Sequence, residues 1–217
     1  MRQHVNPLSR FFQVPLRLPL PAQLFLNPNL PIHLDIGSAR GNFLLDLAET
    51  QANRNFVGVE IRHPLVVSAN QDVERRELKN IRFLFCNANV SLQGWLCDMP
   101  SHLIQNVSIQ FPDPWFKRKH HKRRVLQPSL LKSLAGAMSP GSELFLQSDF
   151  LGVINPMIDL IENSSYFDRL IVNNRSWLKA NPYPIKTERE KYAIKNGLYV
   201  YRALYHRNHT NLSMIES

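Results

Sequence analysis

Polar side chains recur where strand-like stretches end. Asp35, Glu60, Asn87, Asp113 and Asp149 each stand at or just past the carboxyl end of one of five successive apolar runs. Ligands of open α/β sheets bind along that edge, so these residues would ring one crevice. Asx residues also favour turns and helix caps on their own account, and Asp149, just before a helix, has that simpler reading. A succession of five that includes a glutamate favours a site.

The first of these runs leads into His33-Leu34-Asp35-Ile36-Gly37-Ser38-Ala39-Arg40-Gly41-Asn42, a strand, a glycine turn and a helix start. Gly37 and Gly41 let the backbone turn tightly and approach a ligand. A dinucleotide fingerprint, G-x-G-x-x-G/A, requires glycine where Ala39 stands and a small residue where Asn42 stands. The loop is therefore poorly suited to a pyrophosphate, which disfavours an NAD-dependent dehydrogenase. Asp35 instead suits a ligand with an ammonium group, and Glu60, 19 residues after Gly41, can accept both hydroxyls of a ribose. S-adenosylmethionine carries an ammonium, a ribose and a sulfonium, with no phosphate. Taken alone, the loop is equally well read as a tight strand–helix turn.

The fourth run, Asn106–Phe111, stops at Pro112-Asp113-Pro114-Trp115. Pro112 fixes its own φ and Pro114 drives Asp113 into an extended conformation, so this carboxylate is held on stiff backbone. Trp115 and Phe116 offer ring faces of the kind that grip unstacked nucleotides. Directly after them, residues 117–124 carry six Lys or Arg and no acid. The whole chain has 26 Lys and Arg against 17 Asp and Glu, a net +9, so this one block leaves only +3 for the rest. A focused basic block inside a folded chain suggests a polyanionic partner; the simpler reading is a solvated loop.

These residues need elements to position them. Strands are expected at Ile32–Ile36, Phe56–Ile61, Ile81–Cys86, Val107–Phe111, Glu143–Gln147, Phe167–Val172 and Leu198–Tyr205, with helices at Asn42–Thr50, Pro64–Lys79, Leu126–Met138 and Val153–Glu162. Such alternation argues for an α/β fold around a mostly parallel sheet. Residues 1–31 are Pro-rich and read as an arm laid across a single domain formed by residues 32–217. Thr187-Glu188-Arg189-Glu190 has the form of a capping box that opens a short helix ended by Gly197.

Composition excludes other classes. A chain of 217 residues, 44% hydrophobic and 10% aromatic, is not disordered, and its two cysteines cannot build a disulfide scaffold. The longest uncharged apolar stretch, Leu18–Leu34, contains four prolines and cannot be a spanning helix. No secretory signal is recognisable. A cytoplasmic protein without membrane association is expected, with Cys86 and Cys97 as reduced, buried thiols. No Cys or His pair has metal-ligand spacing, and His120-His121 lie in a cationic run, so no metal is expected.

The run Phe111-Pro112-Asp113-Pro114-Trp115-x-Lys117-x-x-His120-x-Lys122-Arg123-Arg124 closely resembles the bacterial tRNA (guanine-N7-)-methyltransferases. So do Asp35-Ile36-Gly37, Val57-Gly58-Val59-Glu60 and Thr187-x-x-Glu190, and the resemblance covers roughly residues 32–205 in consistent order. It implies a Rossmann-like class I methyltransferase fold, a mostly parallel seven-stranded sheet with helices on both faces. It further implies S-adenosylmethionine as methyl donor and methylation of N7 of a guanine in the tRNA variable loop. By position, Asp35, Gly37, Gly41, Glu60, Asn87 and Asp113 would line the cofactor pocket, with Asp113 catalytic. Lys117, Asp149, Thr187 and Glu190 would contact the tRNA. For Thr187–Glu190 this stands beside the capping reading, and both hold if the helix start faces the pocket. Three positions depart from the family pattern: Asp35 replaces the usual Glu, Ala39 a glycine, and Asn87 a common Asp.

Two other readings stay open at this level. Methyltransferases of exocyclic amines typically end the fourth strand with Asn/Asp-Pro-Pro-aromatic, unlike the Asp-Pro-Trp found here. An RNA-binding module with a vestigial cofactor fold is the other. A monomer and a homodimer fit the sequence equally.

Overall fold

The computed structural model of the protein describes residues 5–172 and 177–212. Seven strands form one sheet: β1 (Ile32–Ile36), β2 (Asn55–Glu60), β3 (Ile81–Phe85), β4 (Ile104–Gln110), β5 (Met138–Ser148), β6 (Phe167–Arg169) and β7 (Tyr201–Arg207). Their spatial order is β3-β2-β1-β4-β5-β7-β6. The first five run parallel, whereas β7 is antiparallel to both β5 and β6. Helices α1 (Pro21–Leu24), α2 (Asn42–Thr50), α3 (His63–Arg75), α4 (Ala88–Cys97), α5 (Pro128–Ala137), α6 (Leu151–Glu162) and α7 (Glu188–Lys195) complete the described secondary structure, with two short 3-10 segments.

Helices cover both faces, as expected, and each face has its own core. On one, Ile32, Leu34 and Ile36 of β1 and Val107 and Ile109 of β4 meet Leu92 and Trp95 of α4, Leu131 and Leu134 of α5 and Ile154 of α6. On the other, Phe56 and Phe83 pack with Phe43, Leu44 and Leu47 of α2 and Val66 and Val73 of α3. Every residue of β1 and β2 is buried, as central strands of a parallel sheet must be. Pro64 and Pro128 sit in the first turns of α3 and α5, where a missing N–H leaves no intrahelical bond unmade.

Most expected elements differ somewhat at their ends: β4 starts earlier, at Ile104, β5 is longer, Met138–Ser148, and α3 stops at Arg75. The last strand begins at Tyr201 rather than Leu198, because Gly197 closes α7 with φ +66 and Val200 turns inward against Phe111 and Ala193. The edge strand β6 is three residues long, with Ile171 and Val172 exposed beyond it. Helix α4 was not foreseen: Asn89, Ser91 and Gly94 dilute its helical signal, although Leu92, Trp95 and Leu96 fall on one buried face.

Residues 5–31 lie against this domain through backbone contacts. Leu16 N–H donates to Ser91 Oγ at 3.1 Å, and the Trp95 indole donates to the Pro19 carbonyl at 2.8 Å. Residues 1–4 of the expected arm are outside the described residues. Among the described residues, no helix is long and apolar enough to cross a membrane.

Candidate functional site

Strand order reverses around β1: β2 and β3 are added to one side, β4 and β5 to the other. The crevice of such a sheet opens at the carboxyl ends of the two strands where the order switches. Because the five strands are parallel, Asn87, Glu60, Asp35, Asp113 and Asp149 line one edge in that spatial order. The structure thus brings together the five residues that the sequence spaces along the chain.

The glycine turn has φ +86 at Gly37 and +78 at Gly41, a region that side-chain-bearing residues seldom adopt. A Cβ at Gly41 would also lie 2.4 Å from the Phe83 ring, so this glycine lets α2 approach β3. Ala39 between them takes φ +52, where the family's glycine would sit without strain. That conformation aims the Ala39 N–H at Glu60 Oε2, 2.9 Å away. Glu60 is buried and also accepts from the Arg62 backbone N–H at 3.0 Å and the Arg62 guanidinium at 2.8 and 3.0 Å. Those hydrogen bonds, followed by the charges of Glu60 and Asp113, raise the Arg62 pKa above its usual value. Arg62 therefore couples the acidic end of β2 to that of β4.

Asp35 is buried within β1, and its Oδ1 accepts from Ser108 Oγ at 2.5 Å and Gln110 Nε2 at 3.3 Å. Burial pushes its pKa from 3.8 up to about 6, helped by the Glu60 charge and opposed by those two hydrogen bonds. His33, fully enclosed, is pulled down to about 3 by burial and by Arg54. It is neutral near pH 7, so its Nε2–H donates to Ser108 Oγ at 2.9 Å while Ser108 donates onward to Asp35.

The polar chain runs on across the sheet. Gln147 Nε2 donates to Gln110 Oε1 at 2.7 Å and to Glu190 Oε2 at 3.2 Å. Glu190 is fully buried, with Asn181 Nδ2 at 2.7 Å and Arg202 Nη2 at 2.9 Å on its oxygens. One connected network therefore joins the Asp35 carboxylate to α7. Thr187 caps that helix by accepting the Glu190 N–H at 3.1 Å. The other half of the expected capping box is absent among the described residues, because the Glu190 side chain turns into the core instead.

At the end of β4, Phe111 has φ +46, an unusual conformation for a bulky residue. Strain of this kind costs on the order of 1–3 kcal/mol. It is offset by burial of the ring against Ala193 and Val200 and by a 2.8 Å bond from the Phe111 N–H to the Gln147 carbonyl. This kink and the two flanking prolines set Asp113 at the mouth of the crevice, half-buried. Beyond it, the basic block forms a 3-10 segment, Arg118–Arg123. Arg123 lies over the Trp115 ring at 5.0 Å, and Arg124 Nε donates to the Trp115 carbonyl at 3.3 Å, so both arginines help fold the segment. Lys117, Lys119 and Lys122 are exposed. Asp149 does not cap α6: its carboxylate pairs with Arg189, whose guanidinium lies 4.9 Å over the Tyr192 ring.

Asn87 caps α4 through Oδ1, as Asx residues do, and its Nδ2 donates to the carbonyls of Pro7 and Phe12 at 3.1 Å each. The N-terminal residues thus reach the site beside β3, where Phe12 and Phe85 stand 6.4 Å apart. Cys86 is buried, and burial followed by the Glu60 charge pushes its thiol up to about 12, leaving no usable thiolate. Cys97 corrects the sequence reading: it is exposed, because it is the last residue of the unforeseen α4 and lies off its buried face.

These features fit S-adenosylmethionine. Asp35 Oδ2 has no hydrogen-bond partner among the described residues, and Ser38 Oγ in the turn is buried and also without one. A buried carboxylate with one oxygen left open suits an ammonium group.

The family described as "Putative methyltransferase" matches residues 29–203. A tRNA (guanine-N(7)-)-methyltransferase of Prochlorococcus marinus (strain MIT 9313) is 62% identical over 208 residues, 96% of this chain and 88% of that protein. One of the same name from Synechococcus sp. (strain WH7803) is 60% identical over 208 residues, with the same shares covered. The chain belongs to the tRNA (guanine-N(7)-)-methyltransferase family. Among solved structures, a putative methyltransferase from Streptococcus mutans in complex with SAH superposes with a TM-score of 0.52 at 10% identity, covering 87% of this chain and 93% of that one. At that identity the likeness shows the class I methyltransferase fold.

Within this methyltransferase site, sequence reasoning missed Arg62, Ser108, Gln110, Gln147, Arg189 and Arg202. For Ser108 and Gln110 a signal existed. Polar residues at alternate positions of a strand flanked on both sides by parallel strands cannot face water, so they mark a buried polar network.

Proposed function

We propose that the protein transfers the methyl group of S-adenosylmethionine to N7 of a guanine in the variable loop of tRNA. The observation that carries this reading is the placement of Asp113. A strained residue and two prolines hold its carboxylate at the switch-point crevice, between a cofactor-like turn and exposed lysines, in a chain of this family.

Bound S-adenosylmethionine supplies an electrophilic methyl on sulfur. Asp35 would hold its ammonium and Glu60 its ribose, while Asn87, whose Nδ2 hydrogens go to Pro7 and Phe12, would meet the adenine edge through Oδ1, with Gly37 and Gly41 allowing close backbone approach. Arg62 now fills the Glu60 carboxylate and would release it to the ribose. Guanine N7 attacks with its in-plane lone pair, so no proton need leave the nucleophile. The N7–carbon bond forms as the sulfur–carbon bond breaks, sulfur keeps the bonding pair, and positive charge appears on the purine. Catalysis is then mainly alignment with water excluded. Asp113, fixed beside the ring, stabilises that charge and accepts a hydrogen bond from guanine N1 or N2. Lys117 binds phosphate, while Asp149 and Thr187 meet the RNA. Glu190, fully buried with both oxygens bonded inside the protein, does not meet the RNA as the family resemblance implied; it serves by fixing the α7 start that carries Thr187. Residues 1–31 act as an arm on the single domain 32–217, bracing Asn87.

The test is transfer of labelled methyl from S-adenosylmethionine to an unmodified tRNA transcript, followed by nucleoside analysis. The expected product is 7-methylguanosine. Any other methylated nucleoside, or tRNA binding without transfer, would overturn the proposal.

A further inference from the structure

Two aromatic rings stay open beside the proposed catalytic carboxylate. Phe116, three residues past Asp113, and Phe150, next to Asp149, are each 51% exposed. Their rings nevertheless meet edge to face, with centroids 4.7 Å apart and planes at 60°. The Phe150 ring is backed against Gly152, where a Cβ would lie 2.5 Å from the ring, so glycine makes room for this seat. Leu151, 40% exposed, extends the apolar surface. Trp115 is engaged differently, with its ring against His120 and Arg123. Of the two rings that the sequence offers for nucleotides, Phe116 is therefore the open one, and its partner comes from the end of the next strand.

Exposing two phenylalanines to water has no folding rationale, since burial is worth about 1.5–3 kcal/mol for a side chain of this size. Lys117 follows Phe116 directly and Lys119 lies two residues further on, both exposed. A flat apolar corner next to exposed cations is complementary to a ligand that is flat, apolar and anionic at once. An unstacked nucleotide has those properties: every base offers a π-face, and its phosphate meets the lysines.

We infer that Phe116 and Phe150 form a stacking platform for an unpaired tRNA base at the mouth of the methyl-transfer crevice. The inference rests on the tRNA reading above and adds positioning residues that neither the family motif nor the basic block supplies. The base lies on one ring with its edge against the other, in the geometry that the two rings already share.

The platform is tested by the affinity of the full-length protein for an unmodified tRNA transcript, measured in binding and as KM. Phe116→Ala or Phe150→Ala should weaken tRNA binding about 5- to 140-fold, the range set by loss of one base–aromatic stack. Affinity for S-adenosylmethionine should not change, nor should the salt dependence of tRNA binding. Tyr at either position should restore affinity, whereas Leu, apolar but without a π-face, should not. Ala variants within about twofold of wild type would overturn the inference. So would rescue by Leu equal to that by Tyr, or a parallel loss of cofactor affinity. A wild-type protein that binds tRNA without making 7-methylguanosine would defeat the proposed function and still leave the binding comparison to decide the platform. A wild-type protein that binds no tRNA would defeat both.

Discussion

Replacing Asp35 by asparagine should make the protein more stable and a poorer binder of its cofactor at once. The carboxylate is buried, and folding raises its pKa from 3.8 to about 6. The fold thus disfavours the charged form. At about 1.36 kcal/mol per pH unit, this costs up to about 3 kcal/mol at neutral pH. The sign follows from proton binding. Below about pH 4 the group is protonated in both folded and unfolded chains, and the cost is absent. Between about 4 and 6 the unfolded chain ionises first, so stability falls as pH rises. Above about 6 both forms are ionised and the cost is constant. The substituted amide would keep the Oδ1 acceptor for Ser108 and Gln110 but carry no charge; its NH2 group gains no new partner, which returns some of the benefit. We expect Asp35→Asn to be about 1–3 kcal/mol more stable at pH 7.5, a rise of roughly 2–4 °C in Tm per kcal/mol for a chain of this length. Urea unfolding of both proteins from pH 4 to 8 reads the difference directly, and it should shrink towards zero at pH 4. Calorimetry at pH 7.5 should show roughly 10- to 150-fold weaker S-adenosylmethionine binding, the worth of one charged hydrogen bond. A variant less stable than wild type at pH 7.5, or a stability difference independent of pH, would refute the reasoning.

Other consequences concern neighbouring residues. Asp113→Asn should lower kcat far more than it weakens S-adenosylmethionine binding, as steady-state kinetics and calorimetry together can show; equal losses in both would remove its catalytic role. Changing Lys117, Lys119 and Lys122 together to Ala should reduce the slope of log K for tRNA against log salt by roughly 2–3, measured by filter binding. Ala39→Gly relieves a φ of +52 and should change stability by less than about 1 kcal/mol in urea, whereas Gly41→Ala, with φ +78 and the Phe83 ring in the way, should destabilise clearly.

Much of this site was legible because chemistry and topology reinforce each other along the chain. Asp35, Glu60, Asn87, Asp113 and Asp149 recur at strand ends, and a parallel sheet with helical crossovers places all such ends on one edge. The motif from Phe111 to Arg124 was equally readable, because prolines act locally. What escaped depends on contacts between residues far apart in sequence. Ser108 reaches Asp35 across 73 residues, Asn87 binds carbonyls 75 and 80 residues away, and Glu190 joins Gln147 and Arg202 rather than its own helix start. Thr187–Glu190 illustrates the boundary. Local physics gives the cap, and tertiary packing decides that the glutamate turns inward. Helix α4 was missed for a related reason: its weak intrinsic propensity is overcome by burying Leu92 and Trp95.

The central claim is that a guanine N7 lone pair receives the methyl group. It is tested most directly by offering two transcripts of one tRNA, one ordinary and one with 7-deazaguanosine, in which a C–H replaces N7. The account predicts binding of both transcripts, methylation of the ordinary one to 7-methylguanosine, and no methyl incorporation into the other. Methyl transfer to the 7-deaza transcript would contradict it.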